Sequence, residues 1–288
     1  MGFANVRDLV DDELAGQTTY ATWRKSPSQA STAGVWFDLS MSPGNPVPQY
    51  YAASPGAAKA LSQSTDGGLY HGPNVSPGVK HLKRFTVMTT TATALPMPMI
   101  LADYLLFYPF IDEGTTDPQP LDNTVTLPRW TSGDSVQVMA VSVAGRTGGQ
   151  TFQITYTNSA GVSDRLSQVA IENTAAANGT VVTSNTTGAT RATGGPFIAL
   201  QAGDTGVRSI ESVQMISGTD VGLFALVLVK PLAQARLDGI DAAMEAVYLT
   251  DYNQLPVIAD DAYLNSLANP RGTLAATALH GDITTVWS

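Results

Sequence analysis

Residues 221–229 read Val-Gly-Leu-Phe-Ala-Leu-Val-Leu-Val, an uninterrupted apolar segment with the length of one β-strand. A strand that is apolar on both faces lies centrally in a sheet, or has one face covered by another segment or a second subunit. Other segments rich in β-branched and aromatic residues precede it and are also candidate strands: 85–92, 101–111, 135–144, 151–157, 165–172, 180–184, 197–200 and 209–217.

Turn-forming residues separate these candidate strands. Gly133-Asp134 and Asn178-Gly179 are examples of the pairs that favour tight turns. No helical pattern of crossover length lies between the strands, which disfavours a parallel α/β fold. The pattern therefore predicts a mainly-β protein whose central part, residues 85–232, is an antiparallel β-sandwich of the jelly-roll type.

Residues 1–84 have a different character. A short amphipathic helix is expected over residues 5–16, and its apolar face needs a partner. Residues 18–78 are interleaved with Pro, Gly and Ser, and only 34–41 has strand character, so a long extended arm is predicted. Large aromatic side chains on such an arm usually anchor onto a surface, either of the same chain or of a neighbouring protein. The candidate partner-binding residues of the arm are Trp23, Trp36, Phe37, Tyr50 and Tyr51.

Residues 233–288 lose the strand rhythm and are predicted to be a short mixed segment. Short helices are expected over 240–248 and 260–267, and Pro270 follows the second of them. Trp287 is a sixth candidate partner-binding residue, and packing is expected to hold this end of the chain in place.

Composition excludes several classes of function. The 288 residues include no cysteine, so there is no disulfide, thiolate metal site or cysteine nucleophile. A formal charge of -9 argues against nucleic-acid binding, and the single basic cluster, residues 80–84, is interpreted as a strand entry or a subunit contact. The apolar segments are too short or too interrupted to span a bilayer. Only 14% of residues are charged, which indicates surface that neighbours cover.

No catalytic or metal-binding constellation stands out. Asp204-Thr205-Gly206 matches the string of aspartic proteases, but it has no second copy and is interpreted as a β-turn. The three histidines lack metal-type spacing, and acidic pairs such as Asp112-Glu113 do not form a calcium loop. Residues 145–149 are interpreted as a hairpin tip. We therefore expect no enzymatic activity, no cofactor and no metal.

Trp130 raises one further possibility. Exposed tryptophans on β-sandwiches stack on sugars, and Trp130 directly precedes a candidate strand. A carbohydrate site at this residue is one interpretation. The other is that the indole closes one end of the sandwich.

Residues 197–214, Phe-Ile-Ala-Leu-Gln-Ala-Gly-Asp-Thr-Gly-Val-Arg-Ser-Ile-Glu-Ser-Val-Gln, and residues 226–232, Leu-Val-Leu-Val-Lys-Pro-Leu, resemble segments of head-associated structural proteins of tailed bacteriophages. The resemblance covers these two segments only. It implies a non-enzymatic decoration, cement or minor capsid protein that is made in the host cytoplasm and binds the major capsid protein at the virion surface. It also implies a homo-oligomer, with a trimer favoured. A neck, tail or fibre-attachment component and a carbohydrate-binding receptor-recognition module remain alternatives.

Overall fold

The computed structural model describes residues 3–184, 195–240, 244–247 and 255–288. Its helices are α1 (Val6–Leu14) and α2 (Gln63–Asp66), with single 3-10 turns at Leu39–Met41 and Ala92–Ala94. The strands are β1 (Thr18–Lys25), β2 (Phe37–Asp38), β3 (Gly44–Asn45), β4 (Lys59–Ala60), β5 (Lys80–Thr89), β6 (Met97–Asp112), β7 (Gln119–Pro120), β8 (Gln137–Ala144), β9 (Thr151–Asn158), β10 (Arg165–Leu166), β11 (Ala170–Ile171), β12 (Val207–Met215), β13 (Leu223–Leu237), β14 (Met244–Val247), β15 (Val257–Ile258), β16 (Leu264–Ala268) and β17 (Leu279–Trp287).

A long antiparallel pair, β6 and β13, organises the molecule. The pair runs from Leu223 opposite Asp112 to Leu237 opposite Met97, with bulges that keep two long strands in register. They form the centre of a sheet with the order β2-β16-β6-β13-β8, and β4 also pairs with β6. The apolar segment 224–229 is fully buried, so the prediction of a central strand there is confirmed.

Two further sheets pack against this central pair. One has the order β14-β5-β17-β1-β3, with β15 also paired to β5, and the other has the order β10-β9-β12-β7, with β11 also paired to β9. All strand pairs within the three sheets are antiparallel. The prediction of a mainly-β, antiparallel sandwich is confirmed.

The hydrophobic core is divided along the length of β6 and β13. Met97 and Leu237 pack with Phe85 and Ile283 of the sheet that contains β5 and β17. Further along, Tyr108 and Leu228 belong to a second cluster, which includes Phe152, Ile154 and Ile210 from β9 and β12. The other face of the pair, with Phe107 and Val227, forms a third cluster. Two sandwiches therefore share one pair of strands.

Residues 18–78 are not an arm that leaves the rest of the chain. Strand β1 pairs along its whole length with β17, from Thr18 opposite Val286 to Lys25 opposite Leu279. Gly281 permits this close approach, because a Cβ there would lie 2.5 Å from the indole nitrogen of Trp23 in β1. Further large side chains of the segment are fully buried in the core. They are Leu39, Tyr51 and Leu61. After β1 the segment forms only short strands, because its prolines and glycines interrupt the backbone hydrogen bonds between strands. It still covers the sheets.

The predicted boundaries at 84/85 and 232/233 fall inside β5 and β13. The helix predicted over residues 5–16 is confirmed as α1, and the Asn5 side chain accepts hydrogen bonds from the backbone of Arg7 and Asp8. The helices predicted over 240–248 and 260–267 are wrong. The first range contains strand β14, and its residues 241–243 and 248 are outside the described residues. The second range overlaps strand β16.

The reason is clearest for β16. All five of its residues are buried and pair with β6, and the last two also pair with β2, so pairing and burial on both faces override the local helical pattern.

Candidate functional site

Three of the six candidate partner-binding residues lie in the core of the chain itself. Trp23 is 4% exposed and stacks on Phe85, with ring centroids 6.2 Å apart. Phe37 is buried in the same cluster. Tyr51 is buried on the opposite face of the central sheet, where its hydroxyl donates to the Asp38 carboxylate over 2.5 Å. These side chains have no surface left for a second protein, because the chain's own sheets enclose them.

The other three candidates keep accessible surface. Tyr50 is 59% exposed and lines a cavity of about 140 Å³ beside Ser28. Trp36 is half-buried and lines a separate groove of about 290 Å³ together with Ile100. Trp287 is half-buried on β17. The structure thus does not gather the six aromatic residues into one surface, and contact with a partner stays a prediction for these three.

Helix α1 carries an exposed apolar stripe. Val6, Val10 and Leu14 follow one another at four-residue spacing and are 59%, 45% and 82% exposed. Residues four apart share one face of a helix, so these side chains form a single stripe, which we call the α1 stripe. Leu9 is the one fully buried residue of α1, and Glu13 forms an ion pair with Lys83 of β5. The helix is thus attached to the sheet while its apolar stripe faces outward.

The charges around the α1 stripe are mostly negative. Arg7 is the single cation of the helix, whose sequence Val-Arg-Asp-Leu-Val-Asp-Asp-Glu-Leu carries four carboxylates, for a net charge of -3. Arg7 lies 3.6 Å from Asp11 on the exposed side. A surface that fits this helix would combine an apolar floor with a basic rim.

Asp204 is part of a fixed hydrogen-bond network. Its carboxylate accepts bonds from Tyr156 and Asn158 and lies 3.0 Å from the Arg165 guanidinium. The hydrogen bond from Arg165 is the main cause that lowers the pKa of Asp204 to about 2. The carboxylate therefore stays ionised and ties neighbouring hairpins together, in accord with its interpretation as a turn residue.

Trp130 is also held by polar contacts. Its indole Nε1 donates to the buried Asp103 carboxylate over 3.0 Å, and the Lys230 ammonium lies 5.0 Å from the ring centroid. The half-buried ring packs against the cluster that includes Tyr108 and Leu228. This arrangement matches a tryptophan that closes the end of a sandwich, since a cation already occupies the place above the ring where a sugar would stack.

Four charged residues from four loops meet in the interior. Glu113 follows β6, Glu172 follows β11 and Asp220 precedes β13, and their ligand oxygens all lie within 4.8 Å of one another. Arg146 joins them, with Nη1 3.5 Å from Oε1 of Glu113. We call these four residues the acidic cluster. From the sequence, Glu113 was considered only with its neighbour Asp112, and Arg146 only as part of a hairpin tip. Glu172 and Asp220 were not predicted as site residues.

Burial and repulsion shift the pKa values within the acidic cluster. Burial raises the pKa of Glu113 to about 7 and, with repulsion from Glu113, that of Glu172 to about 8, while Arg146 opposes both shifts. Burial also acts to raise the pKa of Asp220, but hydrogen bonds from Thr147, Gly148 and Val221 outweigh it and lower that pKa. Asp220 therefore carries a fixed negative charge. Carboxylate oxygens at this spacing are the ligands that hard divalent cations prefer.

Comparison with known proteins adds little. No protein-family model and no curated protein matches the chain. Among solved structures, one titled "Structure of infectious bursal disease virus Gx strain" matches over 94% of this chain and 79% of that one, with 9% identity and a TM-score of 0.15. The Gt strain structure matches over the same shares with 8% identity and a TM-score of 0.16. Likenesses this weak carry no argument about fold or function.

Within the part of the chain that the structure describes, no helix is both long and apolar enough to cross a membrane.

Proposed function

We propose that the protein is a non-enzymatic structural component of a bacteriophage particle, a decoration or cement protein that binds the major capsid protein at the virion surface. The observation that carries the proposal is the α1 stripe. Three large aliphatic side chains on one short helix remain in water, at 45% to 82% exposure, while the helix itself is attached to the sheet. Such a stripe is typical of a helix that docks into an apolar groove of a partner.

The stripe contributes binding energy through its apolar area. Full burial of one Val or Leu side chain stabilises an interface by about 1.5–3 kcal/mol. Val10 and Leu14 still have 45% and 82% of their surface to bury. Their joint contribution is therefore about 3 kcal/mol, which corresponds to roughly a hundredfold in affinity.

A free strand edge supports the oligomeric part of the proposal. Strand β3 pairs with β1 only at Arg24 and Lys25, so residues 18–23 have no second neighbouring strand among the described residues. Tyr20 on this edge is 60% exposed. An open edge with an exposed aromatic residue can add a strand from another copy, and cyclic closure of such contacts gives the trimer that we propose.

The test is binding to capsid shells that were assembled without this protein. A Val10→Ser/Leu14→Ser double variant should sediment with shells about 100-fold more weakly than the wild type, because two of the three apolar side chains of the α1 stripe are removed without a change in charge. Val162→Ser is the matched control, since Val162 is 50% exposed in a loop that is not part of α1. Circular dichroism checks that all variants are folded.

Undiminished binding by the double variant refutes the proposal. Recovery of the wild-type protein with isolated tails or necks instead of shells would favour the tail, neck or fibre-attachment alternative. Glycan binding that is lost in Trp130→Ala would favour the carbohydrate-binding alternative.

A further inference from the structure

The acidic cluster contains buried oxygen atoms that have no partner. Both carboxylate oxygens of Glu113 and both of Glu172 accept no hydrogen bond from the described residues, although these side chains are 0% and 1% exposed. Nε and Nη1 of Arg146 are likewise unbonded. Buried polar atoms are almost always hydrogen-bonded, so four carboxylate oxygens without a hydrogen bond, one of them in a long ion pair with Arg146, indicate a missing ligand.

The charge balance determines the kind of ligand. Three carboxylates face one guanidinium, which leaves a net charge of -2 when all are ionised. Arg146 does not neutralise Glu113 well, because 3.5 Å is too long for a charge-assisted hydrogen bond, and its Nη2 donates to the Asn173 side chain over 3.1 Å. A divalent cation would bring the site to neutrality, whereas an anion would add to the repulsion.

The shape of the site is compatible with an ion. Gly222 lies against the cluster, and a Cβ at this position would stand 3.2 Å from Oε2 of Glu113 and 3.0 Å from the carbonyl oxygen of Gly145. A side chain at position 222 would crowd these two oxygen atoms, and glycine avoids this. Asp220 is oriented by donors from Thr147, Gly148 and Val221, which hold its carboxylate within 4.8 Å of the oxygens of the two glutamates.

We propose that Glu113, Glu172 and Asp220 form a buried Ca²⁺ site that joins the loops at one end of the β6–β13 pair. Ca²⁺ takes six to eight oxygen ligands and accepts bidentate carboxylates in flexible geometry, which suits a dry site rich in carboxylates. Mg²⁺ keeps several waters and Zn²⁺ prefers nitrogen and sulfur ligands, so both fit these residues less well. This site is independent of the capsid-binding proposal.

Calcium titration of the EDTA-treated full chain tests the proposal directly. Isothermal titration calorimetry at about pH 9, above the raised pKa values of Glu113 and Glu172, should show one Ca²⁺ per chain, and Ca²⁺ should raise the unfolding temperature. Mg²⁺ and Mn²⁺ are titrated in parallel. The Glu172→Gln variant should bind Ca²⁺ at least tenfold more weakly, while Asp117→Asn, which changes an exposed carboxylate elsewhere, should bind as the wild type does.

A measurement in EDTA separates a metal ligand from a merely structural glutamate. Without the cation, Glu172→Gln removes one like charge from the acidic cluster, so this variant should unfold at the same temperature as the wild type or at a higher one. If none of the three cations binds, the proposed metal site is refuted. If Mg²⁺ or Mn²⁺ binds and Ca²⁺ does not, the choice of calcium is refuted. A Glu172→Gln variant that is less stable in EDTA, with unchanged calcium affinity, also overturns the proposal.

Discussion

His71 should make the folded protein sensitive to mild acid. Its ring is fully buried, Nε2 lies 3.0 Å from the carbonyl oxygen of Ala262, and Nδ1 lies 3.1 Å from the Lys80 ammonium. An ammonium group can only donate, so Nδ1 is the acceptor, Nε2–H donates to Ala262, and the ring is neutral. Burial, with repulsion from Lys80, lowers the pKa of His71 to about 4.

The sign and size of the effect follow from proton linkage. In the unfolded chain a histidine takes up a proton below its ordinary pKa of about 6.5, whereas folded His71 takes one up only near 4. The unfolded state therefore binds more protons in this window, and stability falls as the pH drops from about 6.5 to about 4. Between pH 7 and pH 5 the expected loss from this residue is about 2 kcal/mol.

Denaturant unfolding at both pH values measures the effect. Between pH 7 and pH 5 the free energy of unfolding should fall by about 2 kcal/mol more in the wild type than in His71→Gln, because glutamine does not titrate. The comparison of the two pH-dependent losses cancels the contributions of all other groups. Equal losses in the wild type and in His71→Gln would refute the reasoning about the buried ring.

Three further substitutions test the fold. Leu228→Ala in the core should lower the free energy of unfolding by about 2–5 kcal/mol in denaturant titrations. Gly281→Ala should prevent β5–β17 pairing, because its Cβ would lie 1.9 Å from the Thr86 carbonyl oxygen, and loss of folded protein on size exclusion would show this. Asp204→Asn should lower the free energy of unfolding at pH 7, because the ion pair with Arg165 is lost. Near pH 2 the substitution should change this free energy little, because the wild-type carboxyl is itself half protonated. Equal losses of stability at both pH values would contradict this.

The elements that could be predicted from the sequence are those with a strong local pattern. Residues 223–229 of the apolar run lie in β13, and the apolar spacing of α1 and its Asn5 cap lie within ten consecutive residues. Both patterns reflect short-range geometry, so a neighbouring segment is not needed to interpret them. The antiparallel sandwich class followed from the number of such strands and the turns between them.

Elements that depend on distant partners could not be predicted. β16 has a weak helical pattern, but it is a strand because β6 and β2 flank it on both sides. Trp23 resembled an anchor on a loose arm, yet β1 holds it against Phe85 through its pairing with β17. In both cases the deciding contact lies far away in the sequence, where periodicity carries no information.

The acidic cluster illustrates the same limit. Glu113, Glu172 and Asp220 come from three loops that no local motif connects. One signal was present: Glu113 follows one long apolar strand and Asp220 precedes another. If these two strands are assumed to pair in antiparallel fashion, the two carboxylates come together at one end. The contribution of Glu172 depends on the path of β11 and could not be inferred in this way.

The pairing of β1 with β17 has a consequence for biosynthesis. These adjacent strands come from near opposite ends of the described chain, so their contacts have a very large sequence separation. The ribosome releases β17 after every other described strand, and until then the nascent chain leaves the Trp23 and Phe85 side of its sheet incomplete. Folding of this layer therefore waits for β17, and a chain that lacks residues 279–287 should aggregate during expression instead of forming a smaller stable protein.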